Sequence, residues 1–346
     1  MRLGILMRYA GLTGGPPMDL ILEAERLGYH SAWCGEAYGN DAVSPVAWVL
    51  ARTSRIKAGT GIMQMSARTP ACAAATAATL QAMSGNRFLM GIGPSGPQVI
   101  EGWHGQPYGK PLERTREYIE IVRKVLSRQE PLTHKGEHYQ IPYAGPDASG
   151  LGKPLKSTMH PDPSLKIYTA SFSPAGLRVA GELADGVQPI YMSPERTDLI
   201  TGHVLAGRAA GGRDKSLADF DVAPFVRVAM GKDLQACRDA LKPEMALYIG
   251  GMGARTKNFY NDYVKRLGYE AAAVKIQDAF LGGRKGEAAA AVPDALIDET
   301  ALVGPPERIK DRLQAWKAAA KDNSVGTMLL GGGNVEALRV IAEAAL

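Results

Sequence analysis

The stretch GTGIMQM, residues 59–65, decides how the fold of this chain is interpreted. It has the apolar character of a buried strand, yet it carries two glycines two residues apart. Glycine inside a strand costs backbone entropy and leaves no side chain to pack, so it usually marks a bend, a bulge or close approach by another group. We therefore expect a strand whose backbone another group approaches closely.

Short apolar runs alternate with helical patterns on both sides of this stretch. The other predicted strands are 2–7, 31–35, 87–93, 166–171, 186–190, 221–229 and 325–330. Predicted helices lie between Pro16 and Gly28 and at about 42–54, 69–83, 112–126, 174–184, 194–210, 306–320 and 334–345. Eight strands alternating with eight helices favour an α/β fold in which a parallel sheet closes into a (β/α)8 TIM barrel, over an open doubly wound sheet.

Three excursions interrupt this cycle, at about 94–111, 128–165 and 232–304. Structureless loops of this length are either functional or a sign of a wrong assignment. The second excursion contains the hairpin-like THKGEHYQIPY, and the third has a largely helical pattern. No Pro/Gly/Ser-rich linker separates two regimes of composition, so residues 1–346 are predicted to form one domain.

The composition is that of an ordinary globular protein, with 45% hydrophobic and 22% charged residues. A net charge of +5 over 346 residues is weak evidence for a nucleic-acid partner, and no apolar stretch approaches the length of a membrane span. Cys34, Cys72 and Cys237 lie far apart and form no CxxC pair, which supports neither a disulfide framework nor a zinc site. A reduced, cytoplasmic location is expected.

The segment GIGPSG, residues 91–96, matches the pattern G-x-G-x-x-G after a predicted strand. A dinucleotide fingerprint needs a helix that begins inside the motif. Here Pro94 and Pro97 intervene, and the next well-formed helix is predicted only at about residue 112. A dinucleotide site is therefore not favoured, but the segment lies at the carboxyl end of strand 4, where barrel enzymes build their active sites.

His134 and His138 are four residues apart, which invites a metal-binding interpretation. Gly136 opposes a helix between them, no HExxH motif is formed and no third ligand is indicated. We expect a hairpin with exposed histidines and no metal.

Two further strand ends carry polar side chains. Ser171-Phe172-Ser173-Pro174 precedes a helix, where free N–H groups and the helix dipole could bind an anion, or where Ser173 simply caps the helix. Gly35-Glu36-Ala37-Tyr38-Gly39 ends strand 2, where a carboxylate and a phenol, with Trp33 nearby, could address a planar heterocycle. An exposed glutamate that is only solvated is the alternative.

The chain resembles the luciferase-like oxidoreductases, and within them the subgroup that uses the deazaflavin coenzyme F420, relatives of methylenetetrahydromethanopterin reductase. The resemblance covers nearly the whole chain, in family order. It rests on LEAERLGYHSAWCGEAYGND, IKAGTGIMQMSARTP, ATLQAMSGNRFLMGIGPSGPQVIEGWHGQPYGKPLERTREY, HKGEHYQIPY, GLRVAGELADGVQP and LVGPPERIKDRLQAW.

This resemblance implies a bacterial-luciferase-like (β/α)8 barrel, a homodimer, and a tricyclic ring held at the carboxyl-terminal mouth of the barrel. It also implies a non-proline cis peptide behind the ring, matched here by Gly61-Ile62. The residues that match cofactor-binding positions are Glu36 at the ring edge, Ser95 and Gly96 at the ring or ribityl side, and Ala170, Ser171 and Phe172 at the phosphate.

Relatives that oxidise glucose 6-phosphate carry a histidine and a glutamate where this chain has Ala37 and Gly96, so a sugar phosphate is not the expected substrate. The resemblance then implies hydride exchange between C5 of the deazaflavin and a small organic acceptor, with an activated C=C or C=N bond favoured. Glu36 and His104 are the candidate proton partners.

Basic residues in the third excursion could meet the acidic tail of the coenzyme if that excursion folds toward the mouth, or could simply be solvated helix faces. They are Arg255, Lys257, Lys265, Arg266, Arg284 and Lys285.

Two alternative functions stay open. One is a two-component monooxygenase that uses reduced FMN, because the same fold hosts both chemistries. The other is a barrel that binds the deazaflavin without catalysis.

Overall fold

The computed structural model describes residues 1–7 and 15–346. In chain order its strands are β1 (Arg2–Met7), β2 (Ser31–Cys34), β3 (Lys57–Thr60), β4 (Met63–Gln64), β5 (Phe88–Gly93), β6 (His134–Lys135), β7 (Gln140–Ile141), β8 (Ile167–Thr169), β9 (Gly186–Val187), β10 (Asp221–Val222), β11 (Phe225–Met230), β12 (Ala301–Gly304) and β13 (Thr327–Gly332). All eight strands expected from the sequence are present.

The helices within the described residues also follow the predicted alternation. They are α1 (Met18–Leu27), α2 (Val43–Arg52), α3 (Pro70–Met83), α4 (Pro97–Ile100), α5 (Pro111–Ser127), α6 (Pro174–Leu183), α7 (Asp198–Ala210), α8 (Leu234–Ala246), α9 (Phe259–Arg266), α10 (Glu270–Leu281), α11 (Lys285–Ala290), α12 (Asp294–Thr300), α13 (Pro306–Ala319) and α14 (Val335–Ala345). None of the helices in the described part of the chain combines the length and the hydropathy that a bilayer span needs.

The strands form a closed ring. Parallel pairing runs in the order β9, β8, β5, β3, β2, β1, β13 and β11. The ring closes through residues 221–230, because β10 pairs with β9 while β11 pairs with β13. Between them, the N–H of Ala223 donates to the carbonyl of Val187 at 2.8 Å, and the N–H of Leu329 donates to the carbonyl of Pro224 at 2.9 Å. The predicted (β/α)8 barrel is therefore confirmed.

One strand of the sheet was not predicted. β12 pairs in parallel with β11, next to Arg227–Met230, at the carboxyl end of the barrel. Its sequence, ALVG, is fully buried and follows α12 without an intervening turn, so it is too short to be separated from the helical pattern around it. The rest of the third excursion is helical, as expected.

A tryptophan fills the barrel interior. Trp33 packs with Leu89, Tyr168, Ala223 and Leu329, and its ring meets that of Tyr168 edge-on at 5.0 Å. Its indole N–H donates to the Ser31 hydroxyl at 2.8 Å. The expectation that Trp33 would help to hold a heterocycle is therefore wrong, because the side chain is only 1% exposed.

The same tryptophan explains one of the two glycines in GTGIMQM. A Cβ atom on Gly59 would lie 2.5 Å from the Trp33 ring, well inside van der Waals contact. Gly59 is thus required by a side chain of the chain itself, which fills the space that a larger residue in β3 would need.

The second excursion contains the predicted hairpin, formed by the antiparallel pair β6 and β7. The carboxylate of Glu117, on α5, accepts backbone N–H groups of the turn, including that of Tyr139 at 2.9 Å, and lies 3.2 Å from Nε2 of His134. The side chain of His134 is only 6% exposed, so its predicted exposure is wrong. Within residues 1–7 and 15–346, no three His, Cys, Asp or Glu side chains are grouped to hold a metal ion.

A partly buried histidine at the amino-terminal end of the barrel is expected to make stability depend on pH. Burial, and then the nearby Lys57 and Arg2, lower the pKa of His30 from 6.5 to about 4. Between pH 6.5 and 4 the imidazole of His30 binds a proton more readily in the unfolded chain than in the folded one. The free energy of unfolding is therefore highest, as far as His30 is concerned, above pH 6.5, and it decreases as the pH falls toward 4. We expect a loss on the order of 2 kcal/mol over this interval.

Urea unfolding of the wild type and of His30→Leu at several pH values measures this effect. The variant should show a shallower fall in unfolding free energy between pH 6.5 and 4, whereas His160→Leu, an exposed control, should keep the wild-type slope. Identical slopes for the wild type and His30→Leu would contradict the prediction.

Candidate active site

The residues predicted to bind a cofactor all lie at the carboxyl ends of neighbouring strands. Each is partly exposed: Glu36 after β2, Gly61 and Ile62 after β3, Ser95 and Gly96 after β5, and Ala170, Ser171 and Phe172 after β8. The N–H of Glu36 donates to the carbonyl of Ile62 at 3.1 Å, and the N–H of Ala170 donates to the carbonyl of Ile92 at 3.2 Å. The fold therefore brings these segments to one rim, the mouth of the barrel.

The peptide bond between Gly61 and Ile62 is cis, as the resemblance implied. A Cβ atom on Gly61 would lie no closer than 3.4 Å to any described neighbour, in contrast to Gly59. The second glycine of the motif is therefore not required by packing within the chain, and it leaves a partly exposed stretch of backbone at the mouth.

The Glu36 carboxylate is fully engaged by the chain. Its Oε2 accepts the N–H of Ala42 at 2.8 Å, and its Oε1 accepts the N–H of Gln64 at 2.8 Å and a guanidinium N–H of Arg68 at 2.5 Å. The Glu36 side chain is 7% exposed and that of Arg68 is 19% exposed. This arrangement ties the ends of β2 and β4 together, which indicates a role in organising the mouth.

The GIGPSG segment adopts a barrel conformation and not that of a dinucleotide fingerprint. Its glycines Gly91 and Gly93 lie within β5, and the segment leads only into the single turn of α4. Ser95 has a left-handed backbone with φ of 57°, and its carbonyl accepts the Tyr108 hydroxyl at 3.3 Å. The chain from β5 to α4 is thereby fixed at the rim.

Hydroxyl groups and a guanidinium meet at the start of α6. Ser173 caps the helix, since its Oγ accepts the N–H of Gly176 at 3.2 Å, and the Ser171 Oγ lies beside the same turn. A guanidinium N–H of Arg266, from α9, donates to the carbonyl of Phe172 at 2.7 Å. The pKa of His203 is lowered by burial and by Arg178 and Arg266. The predicted cap is confirmed, and it lies in positively charged surroundings.

Three other basic residues of the third excursion interact with side chains of that excursion. Arg255 forms an ion pair with Asp278, Arg284 pairs with Glu287 at 3.0 Å, and the Lys285 ammonium lies 5.9 Å from the Phe280 ring. These residues are satisfied by their own helical surroundings, as expected of solvated helix faces. Arg266, by contrast, donates to the carbonyl of Phe172 in the segment after β8.

His104 follows α4, and its backbone N–H donates to the carbonyl of Val99 at 3.1 Å. Its Nε2 is buried and has no hydrogen-bond partner among the described residues. In the described part of the chain, no hydrogen bond joins the His104 ring to another predicted site residue.

Sequence reasoning missed a charged pair at the mouth. The side chain of Arg227, on β11, passes over Gly331, and a Cβ atom on Gly331 would lie only 2.5 Å from Nη1 of Arg227. The Arg227 guanidinium forms an ion pair with Glu244 of α8. Burial, then Glu244, raises the pKa of the Tyr191 phenol well above its usual value. An arginine inside the apolar run FVRVAM was the signal that could have identified this position.

Comparisons with known proteins agree with this architecture. The family model for luciferase-like monooxygenases matches residues 9–323. A Mycobacterium tuberculosis protein provisionally named a coenzyme F420-dependent oxidoreductase is 39% identical over 99% of this chain and 98% of its own length. The 5,10-methylenetetrahydromethanopterin reductase of Archaeoglobus fulgidus is 27% identical over 92% of this chain and 91% of its own length.

Solved structures show the same fold. The coenzyme F420-dependent tetrahydromethanopterin reductase of Methanopyrus kandleri superposes with a TM-score of 0.76 and 22% identity, covering 99% of this chain and 97% of the other. An F420-dependent secondary alcohol dehydrogenase, solved with an F420-acetone adduct, has a TM-score of 0.76 and 17% identity, with the same coverage. From the family match and the full-length relative, we conclude that this chain belongs to the luciferase-like monooxygenase family.

Proposed function

We propose that the chain is a coenzyme F420-dependent oxidoreductase that moves a hydride between C5 of the deazaflavin and a small organic substrate. An activated C=C or C=N bond is the favoured acceptor. Coenzyme F420 is favoured over FMN because a relative at 39% identity over nearly the whole chain bears that cofactor in its name.

The observation that carries the proposal is the combination of two surfaces at one mouth. Partly exposed backbone at Gly61-Ile62, where Gly61 carries no side chain, suits the face of a planar ring, and the start of α6, with Ser171, Ser173 and Arg266, suits a phosphate. The two surfaces belong to the ends of β3 and β8, which flank β5 in the ring. The residues present therefore fit a ring that carries a phosphorylated side chain.

In this proposal each segment has a separate task. Ser95 and Gly96 would line the ring or ribityl side, Ala170 and Phe172 would present backbone groups near the phosphate, and Glu36 with Arg68 would hold the mouth in shape. When bound, the deazaflavin supplies the hydride-carrying carbon at C5. The chain contributes binding, orientation and the exclusion of water.

We propose that the proton partner is a side chain with a polar atom that does not already hydrogen-bond to the protein. His104 keeps an unpartnered Nε2 among the described residues, whereas the carboxylate of Glu36 is already committed to three donors. We therefore retain His104 as the candidate acid and assign Glu36 to positioning. Arg227 and Glu244 form a partly exposed ion pair on the β11 side that would contact the substrate.

A turnover assay tests the reaction class. The purified protein is mixed with reduced coenzyme F420 and a panel of α,β-unsaturated ketones and cyclic imines, and reoxidation is followed by absorbance under anaerobic conditions. We expect acceptor-dependent oxidation with at least one member of the panel. Turnover that requires reduced FMN and oxygen would instead identify a monooxygenase, and coenzyme binding without any turnover would identify a non-catalytic carrier.

Replacing Arg266 tests the phosphate corner. Arg266→Gln removes a positive charge beside the start of α6, so we expect affinity for coenzyme F420 to fall about tenfold and to become less sensitive to salt. Arg255→Gln is the matched control, since Arg255 pairs with Asp278 on an exposed surface. Equal affinities for the wild type and Arg266→Gln, measured by fluorescence titration, would remove Arg266 from the site.

Three further features stay predictions. The single-domain organisation of residues 1–346, the homodimer and the cytoplasmic location follow from composition or resemblance. Light scattering coupled to size exclusion distinguishes a dimer from a monomer of 36.8 kDa.

A further inference from the structure

The side chain of Gln188 is a buried amide whose hydrogen-bonding capacity is unused within the described residues. Gln188 is 2% exposed. Neither its Nε2 nor its Oε1 has a hydrogen-bond partner among residues 1–7 and 15–346. A glutamine amide carries two donor hydrogens and an acceptor oxygen, so two kinds of hydrogen bond are left unmade at one point.

This amide faces the interior of the barrel just below the mouth. Gln188 directly follows β9, and its backbone N–H donates to the carbonyl of Thr169 at 2.9 Å. Its Oε1 would lie 3.4 Å from a Cβ atom on Gly61 and 3.4 Å from one on Gly91, and its Nε2 3.6 Å from that on Gly61. The side chain thus reaches from the end of β9 to the backbone at the end of β3 and in β5, beside the Gly61-Ile62 peptide.

An unpaired amide in this position is unfavourable for the protein alone. A buried polar group without a partner costs the free energy of removing it from water, and an apolar side chain of similar size would avoid that cost. Leu89, Ala223 and Leu329 fill equivalent interior space without polar atoms. The cost is recovered if a ligand with complementary groups covers the amide.

We propose that Gln188 is a positioning residue for the deazaflavin ring, whose amide hydrogen-bonds the pyrimidine edge of that ring. This edge presents carbonyl oxygens that accept hydrogen bonds and a ring N–H that donates one, which matches the two functions of the amide. The inference rests on the proposed function and adds a residue that was not among the predicted site residues. It assigns the amide to binding and orientation, with no part in hydride transfer.

Two measurements on Gln188→Leu and on the near-isosteric Gln188→Met test the assignment. The melting temperature should rise, whereas the affinity for the coenzyme should fall. Without cofactor, each variant should have a melting temperature about 1–3 °C above that of the wild type, because an unpaired buried amide is removed. With cofactor, each should bind coenzyme F420 about tenfold more weakly in a fluorescence titration, because hydrogen bonds to the ring are lost.

Gln81→Leu is the matched control. Gln81 is 5% exposed, has an unpartnered Oε1 among the described residues, and lies near the end of α3, at the opposite end of the barrel from the mouth. Its replacement should leave affinity for coenzyme F420 at the wild-type value.

The outcomes separate the possible errors. A lower melting temperature with unchanged affinity would show that Gln188 is a structural residue. A higher melting temperature with unchanged affinity would show that the amide serves a bound water alone. Both results overturn the assignment while the proposed function stands. A wild-type protein that binds no coenzyme F420 overturns the proposed function, and the ring assignment with it.

Discussion

Replacing Gly91 with alanine is expected to reduce the free energy of unfolding by about 4 kcal/mol or more. Gly91 lies in β5 on the interior face of the barrel, where a Cβ atom would lie 1.9 Å from the carbonyl oxygen of Thr60. That oxygen belongs to the backbone of β3, so the clash cannot be relieved by rotating a side chain. The Thr60 hydroxyl also bonds both the N–H and the carbonyl of Gly91, which holds the two strands at this distance.

Urea unfolding at neutral pH measures the effect, with Gly202→Ala as control. Gly202 lies within α7, and a Cβ atom there would meet nothing within 4 Å. The control should gain up to about 1 kcal/mol, because alanine favours the helix over glycine. A Gly91→Ala protein as stable as the wild type would mean that the strands are not held as described.

Replacing Arg68 with methionine is expected to destabilise the fold by about 3 kcal/mol. Arg68 donates to Glu36 at 2.5 Å, and the Glu36 side chain is nearly buried. Removing the guanidinium leaves a carboxylate that is shielded from water with its principal countercharge gone, although the N–H groups of Ala42 and Gln64 remain. Because Glu36 joins the ends of β2 and β4, coenzyme affinity should fall in the same variant.

A double-mutant cycle distinguishes this effect from a general loss of packing. Glu36→Gln combined with Arg68→Met removes the uncompensated charge, so the double variant should lose less stability than the sum of the two single variants. Arg26→Met is the surface control, since Arg26 pairs with Glu23 at 2.7 Å but is 64% exposed, and it should cost less than about 1 kcal/mol. Additive losses in the cycle would rule out the proposed coupling.

The strand and helix pattern could be predicted from the sequence because each element of a parallel barrel has an apolar inner face. Glycine and proline residues also mark the ends of many elements. Residues 221–229 illustrate this, since their apolar run predicted one strand, and the structure pairs its two halves with different neighbours. β12 could not be predicted, because four residues directly after a helix carry too little periodic pattern.

The candidate site could be located but not resolved into roles. Strand order places Glu36, Gly61 and Ser95 at one rim, and a carboxylate at such a rim invites a catalytic interpretation. Its engagement by Arg68 depends on the path of the chain after β4, which periodicity does not encode. Trp33 was misassigned for a related reason, since alternation along β2 does not by itself tell the barrel interior from the mouth.

The ion pair of Arg227 and Glu244 joins residues 17 positions apart on a strand and a helix. The amide of Gln188, which has no hydrogen-bond partner in the described part of the chain, can be recognised only once the barrel is closed, because its neighbours Gly61 and Gly91 are distant in sequence. Sites of this kind are defined by contacts between strands, and spacing along the chain carries no signal for them.

Titration of the purified wild-type protein with coenzyme F420 and, separately, with FMN distinguishes a deazaflavin enzyme from an FMN-dependent one. We expect saturable quenching of protein fluorescence by coenzyme F420, with an affinity well above that for FMN and weakened by Arg266→Gln. Tight binding of FMN with no response to coenzyme F420 would contradict it.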